Sequence, residues 1–187
     1  MSLTPLELLD YMKERLIELT RDMQIGDNKK APNVHIGYLP QKISGPKEQP
    51  PDPAVPVTIT GVNKNNQVLD KELTKDVFPF IIIRATGVDD SEYDQDGQAQ
   101  ADIPVKILIA TYSYDEDGYR DVMHLAQVIR QNFITTGTMG AAADLQRPVS
   151  FVLHEEQAYP YWSGEFMTTW AIPTLERKVD FINGYTR

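Results

Sequence analysis

The amino-acid sequence predicts an α+β protein, in which a mostly antiparallel sheet of four to six strands packs with two main helices in a single domain. The length of 187 residues suits one domain with a sizeable core. Two segments repeat apolar residues every three or four positions, as amphipathic helices do. Segments rich in β-branched and aromatic residues read as a run of mostly hairpin-connected strands, which favours an α+β sandwich over a doubly wound parallel fold.

The first helix is predicted over residues 5–23. Thr4 is a typical N-cap, Pro5 occupies a position where its missing N–H costs nothing, and Glu7 lies three residues after the cap. Gly26 and the polar residues after it end the helix, and 33–39 reads as a short strand. The apolar stripe of this helix consists of Leu6, Leu9, Met12, Leu16, Leu19 and Met23.

A long proline-rich loop is predicted at about 40–75, interrupted by a short strand at 57–60. Six of the 13 prolines of the chain lie between positions 40 and 56. Proline removes ladder donors and stiffens the chain, and loops of this length are uncommon unless they are functional or disordered.

The two clearest strands are predicted at 78–86 and 103–114. Both alternating sets of side chains in the second are substantially apolar, which is typical of a central strand covered on both faces. An acidic loop at about 87–102 separates the two strands and contains no basic residue, so its charges must be solvated or paired with another chain. Its carboxylates belong to Asp89, Asp90, Glu92, Asp94, Asp96 and Asp102.

The C-terminal half is predicted to contain a helix at 119–133 and strands at 149–154 and 165–175. Trp170 shares a strand face with Phe166 and is expected in the core. An aromatic turn at 159–164 joins the two strands. Its Tyr159, Tyr161 and Trp162 either tuck under the loop or anchor a protein partner, and the sequence leaves both interpretations open.

Composition excludes several classes of protein. Eighteen Lys and Arg residues against 27 Asp and Glu residues give a net charge of −9, which disfavours specific nucleic-acid binding. The longest apolar stretch is far shorter than the roughly 18 residues that a membrane-spanning helix needs. With no cysteine in the chain, disulfides, thiol nucleophiles and thiolate zinc sites are excluded.

No motif of enzyme chemistry is found, so we expect no catalytic residue, cofactor or metal. The nucleotide-binding and nucleophile-elbow glycine motifs are absent, and the acidic stretches lack the glutamate that closes a calcium loop. His35, His124 and His154 do not have the spacing of a zinc site. One alternative remains from this class: a small hydrolase using His154 with Glu155 or Glu165 as a general acid and base.

Three segments carry a resemblance to a known family: FPFIIIRA at 78–85, IPVKILIATY at 103–112 and YPYWSGEFMTTWAIP at 159–173. In their order and in the acidic turn and helix after the second, they resemble the tail-terminator, or tail-completion, proteins of long-tailed bacteriophages. The resemblance covers roughly residues 76–175. The proline-rich stretch departs from a minimal version of that fold.

The resemblance implies a protomer that closes into a ring, typically a hexamer, on the last ring of the tail tube. Such a ring stops tube growth and offers a surface to the head–tail connector proteins. It implies a place in the tail or neck of the virion, and in the bacterial cytoplasm during assembly. Two alternatives are a connector or stopper protein of the same neck, and a host or prophage protein that binds a partner through the aromatic turn. If the acidic loop lines a ring, like charges would let DNA pass without sticking.

Overall fold

The computed structural model describes residues 3–39, 77–91, 99–140 and 142–174. The predicted loop at 40–75, its strand at 57–60, and Glu92, Asp94 and Asp96 lie outside these ranges. The described residues form two helices and seven strands. The helices are α1 (Pro5–Thr20) and α2 (Tyr119–Thr136). The strands are β1 (Asn33–Ile36), β2 (Phe80–Ala85), β3 (Asp89–Ser91), β4 (Gln100–Tyr112), β5 (Thr138–Met139), β6 (Ala143–Leu153) and β7 (Tyr161–Pro173).

Helix α1 begins with the predicted capping box. The Thr4 hydroxyl accepts from the Glu7 N–H at 3.2 Å, and the Glu7 carboxylate accepts from the Thr4 N–H at 2.8 Å. Both hydrogen bonds satisfy donors that a helix start leaves free. The Thr4 N–H and the Thr4 hydroxyl both donate to the Glu7 carboxylate, and these two bonds lower the pKa of Glu7. The helix ends at Thr20, three residues before the predicted end, and the Thr20 hydroxyl donates to the Leu16 carbonyl there.

The strands form one sheet in the order β1-β2-β4-β7-β6-β5, with β3 also paired to β4. Only β1 and β2 are parallel; every other pair is antiparallel. Strand β4 pairs with β7 along all thirteen of its residues, which makes these two strands the centre of the sheet. The predicted α+β class, with two helices on a mostly antiparallel sheet, is confirmed.

Both helices pack on the same face of the sheet, and the main core lies between them and it. Trp170 is fully buried there, as predicted, with its ring edge-on to Phe133 at 5.5 Å between centroids. Its indole N–H donates to the hydroxyl of Thr168, which itself donates to the Val105 carbonyl. The polar atoms of this buried group are therefore paired, as burial requires.

Several predicted boundaries are wrong because strand pairing extends further than composition suggests. Asp89 and Asp90 lie in strand β3, and Asp102 lies in β4 opposite Asp89, so these carboxylates belong to a ladder rather than to a loop. Tyr161 and Trp162 begin β7 opposite the end of β4, so they lie in a strand rather than in the aromatic turn. Strand β6 starts at Ala143 instead of 149 because its first residues pair with β5 and β7.

The core predicts a sharp contrast between two adjacent positions of α1. Leu16 is fully buried, whereas Ile17 is 45% exposed. Leu16→Ala is expected to lower the free energy of unfolding by about 2–5 kcal/mol, because it removes buried contacts and leaves a cavity. Ile17→Ala serves as the control and should change it by less than about 1 kcal/mol. Urea denaturation followed by circular dichroism measures both, and equal losses would contradict this placement of the helix.

Candidate functional site

The face of the sheet away from α1 and α2, here called the open face, is contacted by neither of these two helices. Phe80, Ile82 and Ala110 form a small apolar cluster there. Residues beside the proline-rich region pack against it, among them Leu39 and Phe78. The open face is therefore a surface of the described fold that lies outside the main core.

A polar cluster lies at the centre of the open face, across strands β4 and β7. The Lys106 ammonium contacts both carboxylate oxygens of Glu165, at 3.1 and 3.2 Å. His154, just after β6, brings Nε2 to 3.9 Å from the same carboxylate. The other ring nitrogen, Nδ1, lies 2.8 Å from the Ser163 hydroxyl. The structure thus brings together His154 and Glu165, which the sequence proposed as a pair; Glu155 is exposed and lies outside the cluster.

The order serine, histidine, carboxylate resembles the arrangement of a hydrolytic triad. Two features distinguish this cluster from a hydrolytic triad. Lys106 already neutralises the Glu165 carboxylate that would orient the histidine. The Ser163 N–H donates to the Gln157 side chain at 2.7 Å, and the Gln157 amide donates to the carbonyls of His154 and Ser163. These bonds hold the end of β6 against the start of β7, so the cluster works as a clamp between strands.

Charged side chains on the open face are arranged in rows across the strands, because residues directly opposite one another share a face. Asp89, Asp102 and Asp144 lie in one row, with Ala171 between the last two. The Asp102 Oδ1 atom is inaccessible and has no hydrogen-bond partner among the described residues. Arg84 on β2 lies directly opposite Lys106 on β4, and these two residues form a basic row. Of the acidic row, sequence analysis missed Asp144.

An aromatic band closes one end of the sheet. Tyr159 is 59% exposed, and its hydroxyl donates to the Tyr114 carbonyl at 2.9 Å. Tyr161 packs between Tyr112 and Phe78, with ring centroids 5.5 and 5.2 Å away. Of the three predicted partner-binding aromatics, Tyr159 is therefore the one that faces solvent most.

Trp162 lies on the other side of the strand, next to the start of α2. Its indole N–H donates to the Ser113 carbonyl at 3.1 Å, and its ring lies 6.1 Å from that of Tyr119. Asp27 binds the same corner through the Ser113 hydroxyl at 2.8 Å and the Tyr114 N–H at 3.0 Å. This indole is thus half-buried and held in place by the fold.

Two titratable groups near the open face have shifted pKa values. Burial and a hydrogen bond with Tyr114 raise the pKa of Tyr112, so the phenol stays protonated. Burial lowers the pKa of His35, and the nearby Lys13 lowers it further. His35 on the edge strand β1 is therefore neutral at pH 7.

Ser163 and Lys106 are residues of the cluster that sequence reasoning missed. Lys106 did offer a signal, since it is the one charged residue between Val105 and Tyr112 and a lysine among apolar neighbours needs a carboxylate. Ser163 offered none, because its contact with His154 depends on how β6 and β7 pair. The three histidines do not converge: His35 lies on β1, and His124 is exposed on α2.

Other kinds of site find little support in the described ranges. Two surface depressions are lined by residues of α1 and β5 and by residues around Pro104 and Met167, and neither includes His154, Ser163 or Glu165. No group of three or more acidic or histidine side chains is placed to hold a metal ion within residues 3–39, 77–91, 99–140 and 142–174. Neither described helix is long and apolar enough to cross a membrane.

Comparison with known protein families and with curated proteins finds no match to this chain.

The corner around Trp162 generates a prediction. A Cβ atom added at Gly118 would lie 2.7 Å from Cδ1 and 2.9 Å from Cε2 of the Trp162 indole. We expect Gly118→Ala to push the indole toward water, to shift tryptophan emission to the red and to cost about 1–3 kcal/mol of stability.

Gly87→Ala is the matched control, since its Cβ would meet only Pro104 Cγ at 3.6 Å. Trp170, the other tryptophan, is fully buried and supplies a constant background emission. An unchanged emission maximum in Gly118→Ala would mean that Trp162 does not occupy this corner.

Proposed function

We propose that this protein is a structural assembly component of a bacteriophage neck, a tail terminator that forms a homo-oligomeric ring on the end of the tail tube. The ring, a hexamer in the family that the sequence resembles, stops tube growth and presents a surface to the head–tail connector proteins. The protein acts in the virion tail or neck after assembly in the bacterial cytoplasm. It needs no cofactor.

The observation that carries this proposal is the open face. One face of the sheet is left uncovered by α1 and α2, and it carries an apolar cluster, a basic row and an acidic row. A protein that works by shape and contact area needs such a surface, whereas an enzyme needs converging reactive groups in a cleft. The confirmed α+β class also agrees with the fold that the family resemblance implies.

The acidic row supports a further part of the proposal. Asp89, Asp102 and Asp144 lie level across the sheet, so each subunit of a ring would contribute one short band of carboxylates. If this face lines the lumen, the band repels the phosphate backbone and lets DNA pass without sticking. The net charge of −9 agrees with such a role.

The test combines a mass in solution with electron micrographs of tails. The purified chain, alone or with tube protein, is expected to give the scattering mass of a closed ring. Phage lacking the protein should make over-long tails, because tube growth is no longer stopped. Tails of normal length that fail to join heads would identify a connector or stopper instead, and a chain that stays monomeric even with tube protein would overturn both assignments.

One observation favours a second candidate, the small hydrolase: the His154 ring lies 2.8 Å from the Ser163 hydroxyl and 3.9 Å from the Glu165 carboxylate, with its two nitrogens exchanged relative to a serine-protease triad. We expect the purified protein to hydrolyse a chromogenic ester no faster than buffer does, because Lys106 neutralises the carboxylate. A rate that is lost in Ser163→Ala but kept in Ser150→Ala, a change at an exposed serine of β6, would favour the hydrolase.

A further inference from the structure

The sheet ends in two strand edges without a described partner. Strand β1 is one edge of the sheet. At the other edge β5 pairs only with Ala143 and Asp144, so β6 has no described neighbour on that side from Ser150 to Leu153. Exposed edges offer backbone donors and acceptors to another chain.

The two edges point in compatible directions. Strand β1 is parallel to β2, and three antiparallel pairings then lead through β4 and β7 to β6. Strands β1 and β6 therefore run in opposite directions within one protomer. If a second copy is placed beside the first by rotation about an axis along the strands, its β1 meets this β6 as an antiparallel neighbour.

The hydrogen-bonding groups on the two edges are also in phase. The N–H groups of Asn33 and Gly37 donate to the carbonyls of Pro79, just before β2, and of Ile83. Those of Val34 and Ile36 therefore point outward, because N–H directions alternate along a strand. On β6 the His154 N–H donates to the Ser163 carbonyl of β7. By the same alternation, the N–H groups of Phe151 and Leu153 point outward.

The level of each residue in the sheet fixes how the outward groups would meet. Following the pairing across the sheet, Val34 is level with Leu153, and Ile36 is level with Phe151. If the two strands pair at the same level, Val34 with Leu153 and Ile36 with Phe151 become hydrogen-bonded pairs. His35 and Val152 then form the non-hydrogen-bonded pair between them. A shift by one residue would lose this match.

The side chains agree with the same join. Val34 is buried against the main core, and Ile36, Phe151 and Leu153 are partly buried against it. Pairing Val34 with Leu153 and Ile36 with Phe151 would continue this apolar layer from one protomer into the next. On the opposite side, Val152 is 54% exposed in the single chain and would be covered by His35.

Charges at the end of the two strands are complementary. Lys29 and Lys30 precede β1 and are exposed, and Glu155 and Glu156 follow β6 and are exposed. In the antiparallel join the start of β1 meets the end of β6, so the two lysines approach the two glutamates. This complementarity favours a second copy of the same chain as the occupant of each edge.

We propose that the β1 edge of one protomer pairs antiparallel with the β6 edge, Ser150 to Leu153, of the next copy, with His35 opposite Val152. The contact uses two different surfaces and is therefore heterologous, and its repetition gives a closed ring when the rotation from one copy to the next closes. The inference rests on the proposed ring and names the surfaces that hold it together.

Cysteine cross-linking tests the register directly, because the chain contains no cysteine. Opposed residues of a non-hydrogen-bonded pair have Cα atoms about 4.5 Å apart, within the range that a disulfide spans. Within one protomer four strand spacings, about 19 Å, separate these positions, so an internal bridge is excluded. The double variant His35→Cys with Val152→Cys should therefore form a ladder of covalent multimers under mild oxidation.

The matched control is His35→Cys with Ser150→Cys, whose Cα atoms would be about 8 Å apart and should not cross-link. Each single variant should stay uncross-linked as well. Cross-linking of a single variant would mean a symmetric contact, and preferential cross-linking of the Ser150 pair would mean another register; either outcome overturns the proposal.

The mass in solution of the chain without substitutions distinguishes failure of the edge contact from failure of the ring. If the original chain forms a ring and the His35→Cys, Val152→Cys variant assembles without cross-linking, the edge pairing is overturned. The proposed function then still stands. A chain that remains monomeric with and without tube protein overturns both.

A charge exchange provides a second measurement that does not depend on disulfide geometry. Changing Glu155 and Glu156 to Lys should raise the concentration needed for assembly about tenfold or more, because like charges then meet across the contact. Changing Lys29 and Lys30 to Glu should do the same. A chain with all four changes should assemble as the original does, and failure of this restoration, with the circular dichroism spectrum retained, would overturn the charge pairing.

Discussion

The thirteen-residue antiparallel pairing of β4 with β7 determines where every other element lies. Strands β2 and β3 attach to the outer side of β4 one after the other, and β6 attaches to the outer side of β7. The helices then cover the face on which Ile107 and Trp170 are fully buried. Because the ladder is continuous, a residue's place along β4 or β7 also fixes its row across the whole sheet.

Much of this fold follows from local signals in the sequence. The Thr4 capping box and the spacing of Leu16 predict α1, and the start of α2 at Tyr119 is predicted by the charge and glycine before it. The apolar content of both faces predicts that β4 is central. These signals depend on neighbours within one or two turns, which is the range over which sequence patterns are informative.

The register in which the strands pair could not be predicted from the sequence. The contact of His154 with Ser163 depends on how β6 and β7 align, and that of Lys106 with Glu165 on a diagonal across β4 and β7. The acidic residues show the same limit, since Asp89 and Asp102 read as loop residues until their strands are paired. Tyr161 was likewise predicted in a turn, but it lies in β7 because it pairs with Tyr112 of β4. The candidate site is thus made of neighbours that are distant in sequence, and this is why composition and motif searches found only part of it.

Strand β6 contains Arg147 and Pro148 where its pairing with β7 shifts between Gln146 and Ser150. Proline has no N–H to donate, so an incoming strand cannot extend a ladder through this point. The free part of the edge is therefore about four residues long, and β1 is equally short. Edges of this length are poor templates for open-ended fibrils, which grow on long, flat, uninterrupted strands. The register shift in β6 thus protects the chain against amyloid-like growth.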